Sequence, residues 1–169
     1  MRAVLSYPRT MPKEKTAPAR ITEIRNRKAS HDYFIGETFE AGIALTGTEV
    51  KSLRAGKAQI QDAFARIENG EAFLYNAHIS EYDFGNIYNH APTRSRKLLL
   101  RKNQILKLKS EVEKNAAAII PLKMYFSKGF VKVQIAVCKG KKLYDKRESI
   151  KKEEAMREAK RAMSLRNYR

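Results

Sequence analysis

Cysteine occurs once in these 169 residues and histidine three times. The longest unbroken apolar run, Ala116 to Leu122, has only seven residues. Each shortage excludes something. A lone Cys138 permits no internal disulfide, which favours a reducing compartment, and its apolar, strand-like setting makes it a small core residue. His31, His78 and His90 have neither i, i+4 spacing nor a cysteine partner at metal spacing, so no metal site and no cofactor is expected. A spanning helix needs roughly 20 apolar residues, and the apolar start Ala3-Val4-Leu5 is too brief for a secretory signal. A soluble, cytoplasmic protein is therefore expected. Nucleophile elbows, Walker loops and dinucleotide fingerprints are absent from the sequence, which points away from an enzyme. Glu40, Glu49 and Asp62 could in principle converge as a two-carboxylate or Mg²⁺ site, but nothing in their spacing forces it.

Acids are the other scarcity: 18 against 35 bases, a formal net charge of +17. They are unevenly placed. Residues 31–90 hold 9 acids and 4 bases, whereas 91–138 hold 2 and 11, 139–169 hold 5 and 12, and 1–30 hold 2 and 8. A surface tuned only for solubility interleaves the signs. Segregation on this scale gathers a polyanion, and nucleic acid is the partner class it implies. With 43% apolar residues the chain can also bury a core, enough for one domain with tails.

Residues 1–20 carry Pro8, Pro12 and Pro18 among basic and polar residues and read as a flexible basic arm. The globular pattern occupies 21–138. Phe39, Ala41, Ile43 and Leu45 alternate with Glu40, Gly42 and Ala44 as a half-buried strand, in which Gly42 signals a close backbone approach. Thr48 to Arg54 reads as a short helix capped by Thr48, with Val50 and Leu53 inward and Gly56 ending it. Residues 62–68 and 71–79 alternate about Asn69-Gly70, the signature of a type I′ hairpin. Ile105, Leu108 and Val112 follow at helical spacing behind Asn103 as cap. Two further strands, 118–125 and 130–138, flank Ser127-Lys128-Gly129. In the second, Val131, Val133, Ile135 and Val137 face one way, Lys132 and Gln134 the other. Without βαβ alternation, this order predicts a mainly β fold: a five- or six-stranded oligonucleotide-binding (OB-like) barrel with flanking helices.

From 139 to 169 the chain reads as a basic tail. Ala155, Ala159, Ala162 and Met163 form an apolar helix face too thin to offset an ordering cost of roughly 1–2 kcal/mol per residue. The expectation is a tail disordered when free and helical on a partner.

Three segments carry the candidate chemistry. Arg94-Ser95-Arg96-Lys97-Leu98-Leu99-Leu100-Arg101-Lys102 opens a stretch, 94–109, with seven bases and no acid. Either its leucines enter the core and its charges are solvated, or Arg94, Arg96 and Lys97 with Arg101 and Lys102 clamp phosphates. Lys139 to Arg147 leaves a strand end, with Gly140 allowing close approach and Tyr144 offering a stacking face, or it is a plain basic linker. Tyr82, Phe84, Asn86, Tyr88, Asn89 and His90 form a loop that either stacks unpaired bases or packs back on the barrel mouth.

These residues resemble the SsrA-binding protein (small protein B) family, the partner of transfer-messenger RNA in bacterial trans-translation, the rescue of stalled ribosomes. The matching blocks are Phe39-Glu40-Ala41-Gly42, Gly47 to Arg54, Gly70-Glu71-Ala72-Phe73-Leu74, Pro92 to Leu100, Ile120-Pro121-Leu122, Gly140-Lys141-Lys142 and Asp145-Lys146-Arg147. They keep the family's order from about Ile21 to the C-terminus. The resemblance implies an OB barrel that grips the tRNA-like domain of transfer-messenger RNA by shape and backbone, and a tail lying in the vacant mRNA channel near the decoding centre. It implies RNA contacts at Asn26, Glu40, Leu99 and Arg101, and tail function at Gly140, Lys141 and Lys142, with the Asp145-Lys146-Arg147 turn leading into the helix. Glu40, an acid aimed at RNA, would accept from a base amino group or hold an arginine in register. Three positions depart from the family pattern: Tyr144 where histidine occurs, Gln104 where an acid is common, and Asn115-Ala116-Ala117 where glycine is usual, Asn115 then supplying the left-handed cap. The competing readings are a structural ribosomal or assembly protein, and a metal-dependent nuclease built on the three carboxylates. A monomer is expected in the bound state.

Overall fold

Asn69 and Gly70 take φ values of 51° and 78°, the two positive angles a type I′ turn requires. Around them β4 (Phe64–Glu68) and β5 (Glu71–Tyr75) pair antiparallel along their whole length. This hairpin seeds the architecture. The computed structural model describes residues 23–85 and 89–142, together with 145, 148, 150, 151, 154–158, 161 and 163. The readings made for the arm, for Asn86 and Tyr88, and for Tyr144, Lys146 and Arg147 lie outside the described residues.

From the hairpin the ladder continues in both directions until it closes. β5 pairs β7 (Arg96–Leu99), β7 pairs β2 (Tyr33–Ile43), β2 pairs β9 (Phe130–Gly140), and β9 pairs β8 (Ala118–Ser127). β8 returns to β4 at Ile119. Six antiparallel strands thus form a closed OB-like barrel, as the strand pattern predicted. β1 (Ile24–Arg25) continues along the edge of β8 beyond β4, and β3 (Ala58–Gln59) pairs β6 (His78–Ile79) as a separate ribbon. Residues 71–79 are consequently not one strand: Asn76, at φ 54°, separates β5 from β6.

The barrel interior takes alternate residues, as the pleat dictates. Phe39, Ala41 and Ile43 of β2 meet Leu74, Leu98, Val131, Val133 and Ile135 there. Beyond Ile135, β9 is buried on both faces, because α1 (Arg27–Asp32) covers its outside. Ala136 and Cys138 pack there with Ala29 and Ile120. Burial pushes the Cys138 thiol up to about 11, so it stays protonated and inert, the small core residue expected.

Two further helices plug the barrel. α2 (Gly47–Arg54) inserts Leu53, and α3 (Lys102–Asn115) inserts Leu108. Their ends differ from the sequence reading by a residue or two. Thr46, not Thr48, caps α2, with its N–H donating to Glu49 Oε2 at 2.7 Å. Arg101, not Asn103, caps α3, and its N–H donates to Gln104 Oε1 at 3.0 Å. In both cases the side chain three residues on accepts the cap residue's N–H. At the far end of α3 the left-handed residue is Ala116 (φ 45°), not Asn115, a conformation that costs an L-residue roughly 1–2 kcal/mol.

Candidate nucleic-acid interface

β7 was not legible as a strand, yet it organises the site. Its pleat turns Arg96 and Leu98 inward and Lys97 and Leu99 outward. Leu99 is 55% exposed, unusual for a leucine in a sheet. It lies across the ladder from Gly42, where a Cβ would approach the Leu99 Cβ to 3.2 Å. The glycine thus supplies the close approach its position in β2 suggested.

Around Leu99 the outer barrel face and the start of α3 enclose an open groove of about 760 Å³. Glu40 and Lys132 stand on one side, Lys97 and Glu71 on another, and Arg101, Lys102 and Gln104 on the third. The structure therefore brings together Glu40, Lys97, Leu99, Arg101 and Lys102 from the sequence candidates. It adds Lys132, whose outward position in β9 the period-two pattern had already shown, and Glu71.

Glu40 is held as an anion. Lys132 Nζ and the Tyr125 hydroxyl both donate to its carboxylate, and these bonds, Lys132 first, keep its pKa below the usual range. The same contact pushes the Tyr125 hydroxyl up to about 12, so it remains a donor. Cations continue along this face. Lys123 lies 5.1 Å from the centre of the Tyr125 ring and 3.4 Å from Glu23, which also pairs with Arg25. The result is a cationic surface with fixed acids inside it rather than a uniform basic patch.

Other candidates are placed elsewhere. Arg96 is fully buried and cannot clamp a phosphate: its Nε donates to Glu49 Oε1 at 2.8 Å, and its other nitrogens donate to the carbonyls of Ala77, Arg94 and Pro92. Arg94 grips the same carboxylate from the rim, Nε at 2.8 Å and Nη2 at 2.6 Å. Burial raises the pKa of Glu49, but the Arg94 bonds, the Thr46 N–H and Arg96 outweigh it and hold the group at about 2. The Arg94-Ser95-Arg96 block is thus a knot joining α2 to β7, which corrects its assignment to the clamp. Asn26 does not line the groove either. It is buried, its Nδ2 donating to the carbonyls of Ile60 and Pro121 and its Oδ1 accepting from Ala29 N–H.

The three carboxylates proposed for a nuclease do not converge. Glu40 is bound by Lys132 and Tyr125, Glu49 by two arginines, and Asp62 by Lys28. In the aromatic loop, Tyr82 and Phe84 meet edge to face at 5.6 Å, the Asn89 side chain brackets the Tyr82 backbone, and His90 is buried against Ile79 O. Among the described loop residues His90 packs back on the fold, while Phe84 is left 85% exposed. Among the described residues no helix is long and apolar enough to cross a membrane.

The tail root lies apart from the groove. Lys141 contacts α1 and Phe34, and Lys142 N–H donates to Asp145 Oδ2 at 3.1 Å. The described tail residues from Asp145 to Met163 are helical, and all but Asp145 are exposed, Met163 to 69%.

With this geometry in hand, known proteins supply a frame. The family model for SmpB protein matches residues 23–165. An SsrA-binding protein of Shouchella clausii is 61% identical over 142 residues, covering 84% of this chain and 91% of that protein. One from Geotalea uraniireducens is 57% identical over 142 residues, covering 84% and 94%. A solved chain, described as "tmRNA-SmpB: a journey to the center of the bacterial ribosome", superimposes with a TM-score of 0.64 at 47% identity, covering 76% of this chain and 94% of that one.

Proposed function

This chain belongs to the SmpB protein family, and on that premise we propose that it is an RNA-binding adaptor of bacterial ribosome rescue. Its barrel binds the tRNA-like domain of transfer-messenger RNA and delivers it to stalled ribosomes in the cytoplasm, while the tail occupies the empty mRNA channel. It acts without catalysis, as a monomer.

The observation that carries this reading is the groove. An exposed Leu99 gives unpaired bases an apolar platform, and Arg101 and Lys102 on its rim reach backbone phosphates. Of the two roles open to Glu40, its bonds to Lys132 and Tyr125 support a variant of the second: it orients a lysine, not an arginine, beside the RNA. Such a rigid, mixed surface suits recognition of a folded RNA by shape. A structural ribosomal protein, the competing reading, is not favoured by this family match.

The tail complements the barrel. An exposed helix with little to pack against is marginal in water, which supports ordering on the ribosome rather than before it. Circular dichroism of the isolated 139–169 peptide should therefore show mainly coil. The decisive experiment is recovery of the full chain from cells at ordinary ionic strength followed by sequencing of its RNA. Transfer-messenger RNA should dominate, and a variant lacking 139–169 should still bind it while losing peptide tagging. Recovery of bulk ribosomal RNA in equal stoichiometry with ribosomes would favour the structural protein instead.

A further inference from the structure

The tail leaves the barrel through a fastening. β9 ends at Gly140, and the Lys141 N–H donates to Asp32 O at 2.9 Å. The Lys141 ammonium donates to Ser30 O at 2.8 Å and sits 5.2 Å from the centre of the Phe34 ring. Ser30 and Asp32 lie in the last turn of α1, where helix geometry leaves carbonyls without intrahelical partners. One residue thus serves two of them.

α1 is equally tied at its start. Asn26 caps it through Ala29 N–H at 3.1 Å, and the Asn26 Nδ2 donates to Ile60 O at 3.1 Å and Pro121 O at 3.0 Å. The Asn26 N–H donates to Leu122 O at 2.8 Å. Pro121 lies where the β8–β9 register shifts, and Asn26 supplies the donor that its carbonyl takes there, fastening α1 to the barrel wall. An unbroken chain of hydrogen bonds runs from that wall through α1 to the tail root.

We propose that α1 is a collar that aims the C-terminal tail, with Lys141 and Asn26 as positioning residues at its two ends rather than RNA ligands. The idea rests on the adaptor reading for its purpose. A tail that must enter a channel gains effective concentration there when its root has one direction. Lys141 sets that direction through Ser30, Asp32 and Phe34, and Lys142 passes it on by binding Asp145.

The test begins with Lys141→Met, which keeps the aliphatic stem and removes the ammonium, and Lys141→Arg, which can restore the donors. Spin labels at Lys128→Cys, in the β8–β9 turn, and Glu148→Cys, just past the root, report the root's spread in the full chain. Lys141→Met should widen that distance distribution and slow tagging roughly tenfold or more at unchanged RNA affinity, and Lys141→Arg should recover both. A second variant, Asp32→Cys/Lys141→Cys, places cysteines at two residues joined by the Lys141 N–H to Asp32 O bond, next to the Tyr33–Gly140 ladder pair, so that a disulfide can replace the fastening. Oxidised, it should tag normally without any ammonium at 141; reduced, it should fail like Lys141→Met. If Lys141→Met loses tagging with an unchanged distribution, or the closed disulfide does not restore it, Lys141 touches the ribosome directly and the collar is overturned. Full tagging by Lys141→Met overturns it too. Failure of the unaltered chain to bind transfer-messenger RNA would instead defeat the adaptor reading, while the label distances would still report on the collar.

Discussion

Arg96 and Lys97 are adjacent, equally charged and part of one basic block, yet they have opposite fates. Arg96 is sealed in the interior beside Glu49, and Lys97 stands on the rim of the groove. Leu98 and Leu99 repeat the contrast with apolar side chains, 2% and 55% exposed. A strand turns successive residues to opposite faces, so one block of sequence serves stability with one set and recognition with the other. Composition averages over both sets and reports only the sum.

The inward face should yield the largest effect. Glu49→Gln leaves Arg96 buried without a counter-charge and should cost about 3–5 kcal/mol in urea unfolding. Loss of RNA affinity without loss of stability would show that the two faces had been exchanged. Acid should reveal the same contact more gently. Glu49 titrates at about 2, below its ordinary 4.5. Its contribution is therefore complete above about 4.5 and drains away as pH falls toward 2. Unfolding midpoints measured across that range should converge between the unaltered chain and Glu49→Gln.

The outward face should respond in binding instead. Leu99→Ala should change stability by no more than about 0.5 kcal/mol, while losing about 1–2 kcal/mol of RNA affinity if a base packs over its apolar surface. Titration against the tRNA-like domain alone measures this. The smallest effects come from the rim. Arg101→Ala and Lys102→Ala should each lower the log–log salt slope by about 0.7–0.9. Arg94→Ala should leave the slope unchanged, since that guanidinium is committed to Glu49. An equal drop in slope for Arg94→Ala would return that residue to the phosphate clamp.

Much of the barrel was readable because its signals are local. Asn69-Gly70 declares a turn through its own backbone preferences, and Val131, Val133, Ile135 and Val137 declare a buried face through their spacing. β7 gave no such signal. Its inward residue is an arginine, whose burial depends on a carboxylate 47 positions earlier in the chain, brought to it by α2. The consecutive leucines at 98–100 further hid which of them would face water. Asn26 was placed through family resemblance as an RNA contact, because nothing nearby in the chain shows that Ile60 and Pro121 supply its partners.

Charge segregation, the hairpin, the alternation of the last two strands and a tail with too little to bury were all decided by the order of amino acids, since each depends on neighbours a few residues apart. Which cations meet RNA and which hold the fold was decided only when the barrel closed. Burial of a charge depends on a partner and on exclusion of water, and both arrive from distant parts of the chain.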